Sequence, residues 1–335
     1  MNSAPDTTEG RTESPADPSS PSSPGGVLPY VRIMRVDHWF KNVFVLPGVV
    51  VALSAQDSVD WTGAVGHFVI GMAAVCLVAS SNYVINEVLD APSDLHHPVK
   101  RNRPVPSGQI RIPIAIVQWI VLMVIGVGLG LTVNWQLAAT LFALWLAGCA
   151  YNIPPVRTKD VAYLDVLTES INNPLRMLVG WYIVSTTPVP PVSLLISYWM
   201  IGCYFMALKR FAEYRDMSDD RAAHVRYRKS FAHYDEPRLL VSIMFYASTA
   251  MLFFGAFAVR YRIELIIAFP LVALTMAIYL KLAFQPSSPV EHPEKLYRQK
   301  WLMIVVTVTA ALMVLLLFVN LGVLERFFPR SDWTS

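Results

Sequence analysis

Residues 64–94 read AVGHFVIGMAAVCLVASSNYVINEVLDAPSD, and an abrupt change of character within them decides the fold. Up to Ile85 the only readily charged side chain is His67. That run is long enough to cross the ~30 Å hydrocarbon core of a bilayer at ~1.5 Å per helical residue. Past Ile85 the chain turns acidic, with Asn86, Glu87, Asp90 and Asp94 in quick succession. An apolar span that ends in oxygen donors is a membrane helix delivering ligands to one face of the bilayer.

Similar apolar runs recur along the chain, at 38–55, 64–86, 112–132, 135–151, 163–184, 190–210, 238–258, 262–283 and 300–322. The fourth is short, and the fifth is interrupted by polar residues. No water reaches the bilayer core to satisfy an open backbone, so the expected fold is all-α, a polytopic membrane bundle of about nine transmembrane helices. Composition agrees: 54% of residues are hydrophobic and 15% charged, with mean hydropathy +0.44, where a soluble domain carries about 25% charged residues. A net charge of +3 leaves no footprint for a nucleic-acid partner. Cys76, Cys149 and Cys203 lie in apolar runs without metal-ligand spacing, which excludes a zinc module and a disulfide framework. Residues 1–28 are expected to form a disordered Ser/Pro-rich tail without the apolar core of a signal peptide. Residues 29–325 form the transmembrane domain, and 326–335 a short C-terminal tail.

The basic residues orient the bundle. Of the 27 Lys and Arg residues, only Arg260, Arg262, Arg326 and Arg330 fall on the side opposite the N-terminus, while Arg11 lies in the tail and Arg176 inside a span. The positive-inside rule then predicts a protein integral to the cell (inner) membrane with its N-terminus in the cytoplasm. The active site is expected on the cytoplasmic face, because the external loops QDSVDWTG, VNW and STTPVPPV carry no base.

Three constellations carry chemistry. Asn86, Asp90 and Asp94 are four apart, so a helix sets them along one face with a drift of ~40° per step. Hard oxygen ligands at a membrane surface suit Mg²⁺, which keeps waters and binds through carboxylates and substrate phosphates. HHPVKRNRPVPSG follows, and its Lys100, Arg101 and Arg103 are the cations that phosphate oxygens attract. Pro92 is expected to kink the segment between the two aspartates. A shift of 126 residues lands on Glu213, Asp216, Asp220 and Arg226 in place of Glu87, Asp90, Asp94 and Lys100. That points to two related halves with Asp216 and Asp220 as further metal ligands, or to a merely solvated loop. In span five, Lys159 and Asp160 are followed by Asp165, Glu169, Asn172, Asn173 and Arg176 at intervals of three and four. Ionisable groups at membrane depth cost roughly 2.5–3.5 kcal/mol or more and mark pathways or sites. Asp165 and Glu169 are expected to be catalytic. Glu169 and Arg176, ~10 Å apart along the axis, are too distant to pair directly and are expected to line the reaction cavity. Lys41, beside Trp39, reads from spacing alone as an interfacial anchor.

These residues resemble a family. NEVLDAPSD (86–94) looks like the NDxxDxxxD motif of the UbiA superfamily of intramembrane prenyltransferases, whose architecture is also nine-spanning, and the resemblance covers roughly residues 30–322. WFKN (39–42), HPVKRNRP (97–104), KRFAE (209–213) and RKSFAHY (228–234) look closest to its decaprenyl-phosphate phosphoribosyltransferase-like branch. YNIPPVRTK (151–159) and the DxxxD at Asp216 and Asp220 are similar instead to aromatic prenyltransferases, and Glu87 stands where the motif usually has Asp. The resemblance implies Mg²⁺ as cofactor and diphosphate–Mg²⁺ roles for Asn86, Asp90 and Asp94. It implies phosphate-contacting roles for Lys41, Lys100, Arg101, Lys209 and Arg210; beside them, Arg103, Arg157, Lys159, Arg176, Glu213, Arg228 and Lys229 are expected to bind substrate or diphosphate.

Three functions are compatible with this pattern: phosphoribosyl transfer from phosphoribosyl diphosphate to a polyprenyl phosphate, prenyl transfer from a polyprenyl diphosphate to an aromatic or polar acceptor, and non-catalytic lipid carriage. A carrier is expected to place its polar groups at the midplane in broken helices, whereas most here cluster at one face. The expected partners are a polyprenyl phosphate or diphosphate, a phosphate-bearing donor and the membrane. A phosphoribosyl donor needs cations for a second phosphate, and Lys209, Arg210, Arg228 and Lys229 are the expected grip.

Overall fold

The computed structural model describes residues 26–95, 99–187, 189–217, 225 and 228–327, and every regular element among them is helical. Helix α1 (Val27–Ile33) leads through a 3₁₀ stretch, Val36–Val45, into α2 (Leu46–Ser54). There follow α3 (Trp61–Asp94), α4 (Ile112–Val133), α5 (Trp135–Asn152), α6 (Leu164–Ser170), α7 (Asn172–Val184) and α8 (Val192–Asp216). The chain ends with α9 (Glu236–Tyr261), a 3₁₀ turn Ile263–Ala268, α10 (Phe269–Ala283), α11 (Lys300–Phe318) and a short α12 (Gly322–Phe327).

Local chemistry sets these boundaries. The Asp60 carboxylate accepts from the amides of Thr62 and Gly63 to start α3, Asn134 caps α5 through the Leu137 amide, and Asp235 caps α9 through the Arg238 amide. Each side chain satisfies backbone donors that the first helical turn leaves open. Span five breaks at Ser170–Ile171. Pro174 explains the position, since its ring has no N–H to give the Ser170 carbonyl and collides with it in a continuous helix. Asn172 Nδ2 covers the end of α6 by donating to the Glu169 carbonyl at 2.8 Å. Pro92 lies inside a helix that runs on to Asp94; so near the terminus it costs one backbone hydrogen bond, and few turns remain for a kink to displace.

Seven helical segments among the described residues are long and apolar enough to span a bilayer: Val27–Ser54, Trp61–Asp94, Ile112–Val133, Val192–Asp216, Glu236–Tyr261, Ile263–Ala283 and Lys300–Phe318. The other two stretches expected to span are helical but fall short of that measure. Helix α5 carries polar residues at both ends (Gln136, Asn152), and α6 and α7 divide the fifth run between them. Large apolar side chains such as Val117, Val241 and Leu252 point outward, as an integral membrane protein requires.

Two apolar cores flank the polar region. One joins α3, α5 and α7 through Val75, Val78, Leu141, Leu144 and Ile183. The other joins α8, α9 and α10 through Tyr204, Leu208, Phe211, Ile243 and Tyr279. Helices α2 and α7 meet backbone to backbone. A Cβ on Gly48 would lie 1.9 Å from the Met177 carbonyl oxygen, and one on Gly180 would lie 2.0 Å from that of Val45, the close approach that small residues permit between membrane helices. This contact draws the Val36–Val45 segment onto α7 and sets Asn42 beside Arg176.

Candidate active site

The acidic end of α3 faces the loop that leaves α5. Asp90 Oδ1 accepts from Arg157 Nη2 at 3.2 Å and from Lys159 Nζ. Arg157 is fixed in turn by Asp160 Oδ2 at 3.2 Å and the Asn152 carbonyl at 3.2 Å. Asn152 ties this corner together: its Oδ1 accepts from Asn86 Nδ2 at 2.6 Å and from Lys159 Nζ at 3.2 Å. Burial pushes the Lys159 ammonium below the usual lysine range, and Asp90 opposes that shift. Asp94 turns to the other flank, where its Oδ2 accepts from Arg103 Nη1 at 2.6 Å. Glu87 is buried and accepts from the Val105 amide at 3.1 Å, folding the loop after α3 back onto the helix. Burial also lowers Lys100, with Arg103 adding to the effect and Asp94 opposing it.

These pairings leave Asn86 Oδ1, Asp90 Oδ2 and Asp94 Oδ1 without a hydrogen-bond donor among the described residues. Three hard oxygens at the end of one helix are a donor set that suits a divalent cation. No three Asp, Glu, His or Cys side chains among the described residues form a ready-made metal cage.

A second cluster is sealed. Arg210, 1% exposed, donates from Nε to Asp165 Oδ2 at 3.2 Å, from Nη2 to Glu169 Oε2 at 2.8 Å and from Nη1 to Glu213 Oε2 at 2.9 Å. Asp165 is fully buried and also accepts from Tyr234 Oη at 2.7 Å and Ser230 Oγ at 3.1 Å, with Arg228 Nη1 3.5 Å away. The Tyr234 hydroxyl accepts from the Tyr163 amide at 2.6 Å. Its phenol is driven well above the usual range by burial and by Asp165. The stretch 228–234 therefore straps α8 to the start of α6. Arg210, expected to contact phosphate, pairs here with three carboxylates as an internal hub. Asp165, expected to be catalytic, is likewise enclosed. Glu169 differs, keeping 32% of its side chain exposed while accepting from Tyr151 Oη at 2.8 Å.

A third group lies deeper. Asn42 accepts from Arg176 Nε at 3.0 Å and donates to Cys76 Sγ at 3.1 Å. Trp39 donates to Ser80 Oγ at 2.9 Å. These bonds give WFKN a structural task at the mouth of the bundle. Glu169 and Arg176 do not pair.

The remaining expected residues spread around the acidic end. Lys41 and Lys100 are half-buried and Arg101 is exposed. Lys209 lies 3.9 Å from Glu213, and Lys229 reaches Asp160 at 3.3 Å. Asp216 is exposed and accepts from the Ser287 amide at 3.3 Å, while Asp220 and Arg226 lie outside the described residues. Sequence reasoning gave no role to Asn152, Tyr151, Ser230 or Tyr234. Asn152 carried a faint signal, as an amide closing an apolar run.

Comparison with known proteins shows the family and the fold. The model of the UbiA prenyltransferase family matches residues 42–304. A decaprenyl-phosphate phosphoribosyltransferase of Mycolicibacterium smegmatis is 26% identical over 238 residues, covering 68% of this chain and 69% of that one. Its Mycobacterium tuberculosis (strain H37Rv) counterpart is 28% identical over 233 residues, covering 68% and 73%. A UbiA homologue from Archaeoglobus fulgidus, solved bound to DMAPP and Mg²⁺, superimposes with TM-score 0.65 at 18% identity, covering 87% of this chain and 99% of the other.

Proposed function

The chain belongs to the UbiA prenyltransferase family, and from that premise we propose that it is a Mg²⁺-dependent membrane transferase acting at the cytoplasmic face, moving phosphoribosyl from phosphoribosyl diphosphate to a polyprenyl phosphate with release of diphosphate. The observation that carries the transferase reading is the acidic end of α3. There Asp90 holds Arg157 and Lys159 on one oxygen and Asp94 holds Arg103 on one oxygen, while the other oxygen of each has no donor among the described residues. The named relatives support the phosphoribosyl donor.

Mg²⁺ fits Asn86, Asp90 and Asp94, because it requires only one or two carboxylates besides substrate phosphates and water. When bound, it neutralises charge gathering on the departing diphosphate. Lys159 and Arg157, which the free protein keeps on Asp90, lie ready to turn toward the diphosphate once Asp90 has another partner. Arg103 does the same from Asp94. The apolar walls contributed by α3, α5 and α7 keep water from capturing the cationic carbon.

One observation favours the second reading, prenyl transfer from a polyprenyl diphosphate. Arg210, the most buried of the cations expected at a second phosphate, is enclosed by acids. Mass spectrometry of lipid products decides between the two. Purified protein is given Mg²⁺ with phosphoribosyl diphosphate and polyprenyl phosphate, or with geranyl diphosphate and aromatic acceptors. A phosphoribosylated polyprenyl phosphate is expected; prenylated acceptor alone gives the second reading, and no product from either mixture leaves lipid carriage.

A further inference from the structure

Arg176 is a cation with no anionic partner among the described residues. It is 9% exposed in the middle of a membrane bundle, where an isolated charge is expensive and generally serves a substrate or ion pathway. Its one hydrogen bond among the described residues runs from Nε to the neutral amide of Asn42, and no ion pair among those residues involves it. Glu169, the nearest acid along the same span, is already committed to Arg210 and Tyr151. The titratable groups around Arg176 are the hydroxyls of Tyr83 and Tyr198 and the Cys76 thiol.

The surroundings are built to aim the guanidinium. Asn42 is 1% exposed, and its donation to Cys76 Sγ at 3.1 Å turns its oxygen toward Arg176. That oxygen takes Nε and leaves Nη1 and Nη2 as an open fork. The Tyr198 hydroxyl is anchored on the Phe44 carbonyl at 3.3 Å. The Tyr83 ring is gripped by His38, 5.7 Å between centroids, and by the Arg35 guanidinium 5.9 Å above it. Its hydroxyl has no hydrogen-bond partner among the described residues. A guanidinium fork and a phenol, neither with a further hydrogen-bond partner among the described residues and each in the other's electrostatic surroundings, suit an oxyanion, which takes two parallel N–H donors and one O–H.

We propose that Arg176, positioned by Asn42 and assisted by Tyr83, binds the oxyanion of the acceptor: the terminal phosphate of a polyprenyl phosphate, or the carboxylate of an aromatic acceptor. Depth supports this. Tyr83 lies about 10 Å along α3 from Asp90 at ~1.5 Å per residue, and Arg176 lies on α7, beyond the break that follows Glu169. A donor held at the acidic end of α3 would then place its reacting carbon between two charged poles, with the acceptor's anion at the inner one. The inference rests on the transferase reading but not on which donor is used.

Binding in nanodiscs tests it, without turnover. Farnesyl phosphate and benzoate are titrated separately into wild type, Arg176→Gln, Arg176→Lys and Tyr83→Phe. In parallel, phosphoribosyl diphosphate and geranyl diphosphate are titrated with Mg²⁺. One of the two oxyanions should saturate wild type, and which one does identifies the acceptor class. Arg176→Gln should weaken that binding about tenfold or more and Tyr83→Phe a few-fold, while Arg176→Lys, which keeps the charge but loses the fork, falls between wild type and Arg176→Gln. Donor binding should stay within about twofold and the melting temperature of Arg176→Gln should not fall, since removing an uncompensated charge relieves the fold. Equal oxyanion binding in wild type and Arg176→Gln, or no oxyanion binding to a wild type that binds a donor, overturns the proposal. So does a loss matched by a fall in melting temperature that Arg176→Lys shares. Failure of both donors to bind, with Arg176-dependent oxyanion binding intact, counts against the transferase reading and leaves the receptor standing.

Discussion

Asp90 sits between Arg157 and Lys159 with 22% of its side chain exposed, whereas Asp165 sits between Arg210 and Arg228 with none. Both carboxylates are doubly paired, yet they are built for different ends. Both oxygens of Asp165 are engaged, one by Tyr234 and the other by Arg210 and Ser230, with Arg228 Nη1 3.5 Å away. Asp90 offers one oxygen to its cations, and its second has no donor among the described residues. Desolvated charges are costly to separate once paired, while partly hydrated ones exchange partners readily. The first arrangement makes a joint between α6, α8 and the 228–234 strap. The second makes a site whose ion pairs a phosphorylated ligand can replace.

The largest effect is expected at the joint. Arg210→Met strands Asp165, Glu169 and Glu213 without their shared cation and should cost about 3–5 kcal/mol, read as a sharply lower melting temperature in detergent. A variant that melts like wild type would break the comparison at its firmer half. Asp90→Asn should do the reverse. Turnover should fall by about 100-fold or more, the loss typical when a group stabilising developing charge is removed, with the melting curve nearly unmoved. Activity within twofold of wild type in this variant and in Asp94→Asn would remove both from the site.

Glu169→Gln lies between the two cases, because Glu169 touches the hub yet remains partly exposed. Turnover should drop about tenfold with little change in melting; a large loss of stability at normal specific activity would move it to the joint. The smallest effect concerns Glu291, whose carboxyl is pushed up to about 7 first by burial and then by Asp216 and Glu213. One of its oxygens is buried without a partner. An acid with a raised folded-state pKa holds its proton longer in the native protein, so its favourable contribution is complete below the ordinary value of 4.5 and is lost as pH climbs to about 7. Glu291→Gln should flatten the decline of stability across that window in thermal melts taken from pH 4.5 to 8; an unchanged slope assigns the decline to other groups.

The same contrast explains what could be read in advance. The acidic end of α3 is local: an apolar run, a four-residue spacing and a basic loop all lie within one short stretch, so the span was legible there and its candidate ligands could be named. The break in the fifth span was visible as polar residues interrupting an apolar run. The joint is not local. Asp165, Arg210, Ser230 and Tyr234 come from α6, α8 and a loop, with no periodicity to link them, and only packing shows that Arg210 is consumed by acids. Asn152 was hidden for a similar reason, since a single amide at a helix end announces no partner 66 residues away. Asn42 stood inside a noticed segment, yet its role depends on the contact of Gly48 and Gly180 that brings α2 to α7.

Diphosphate release from phosphoribosyl diphosphate is the most direct check on the central claim, that the open pairs of Asp90 and Asp94 form a metal-assisted diphosphate site. It is followed by ³¹P NMR in nanodiscs containing polyprenyl phosphate, for wild type and Asp90→Asn, each with Mg²⁺ and with EDTA. Release is predicted only from wild type with Mg²⁺. Release at the wild-type rate in EDTA, or from Asp90→Asn, would contradict the account.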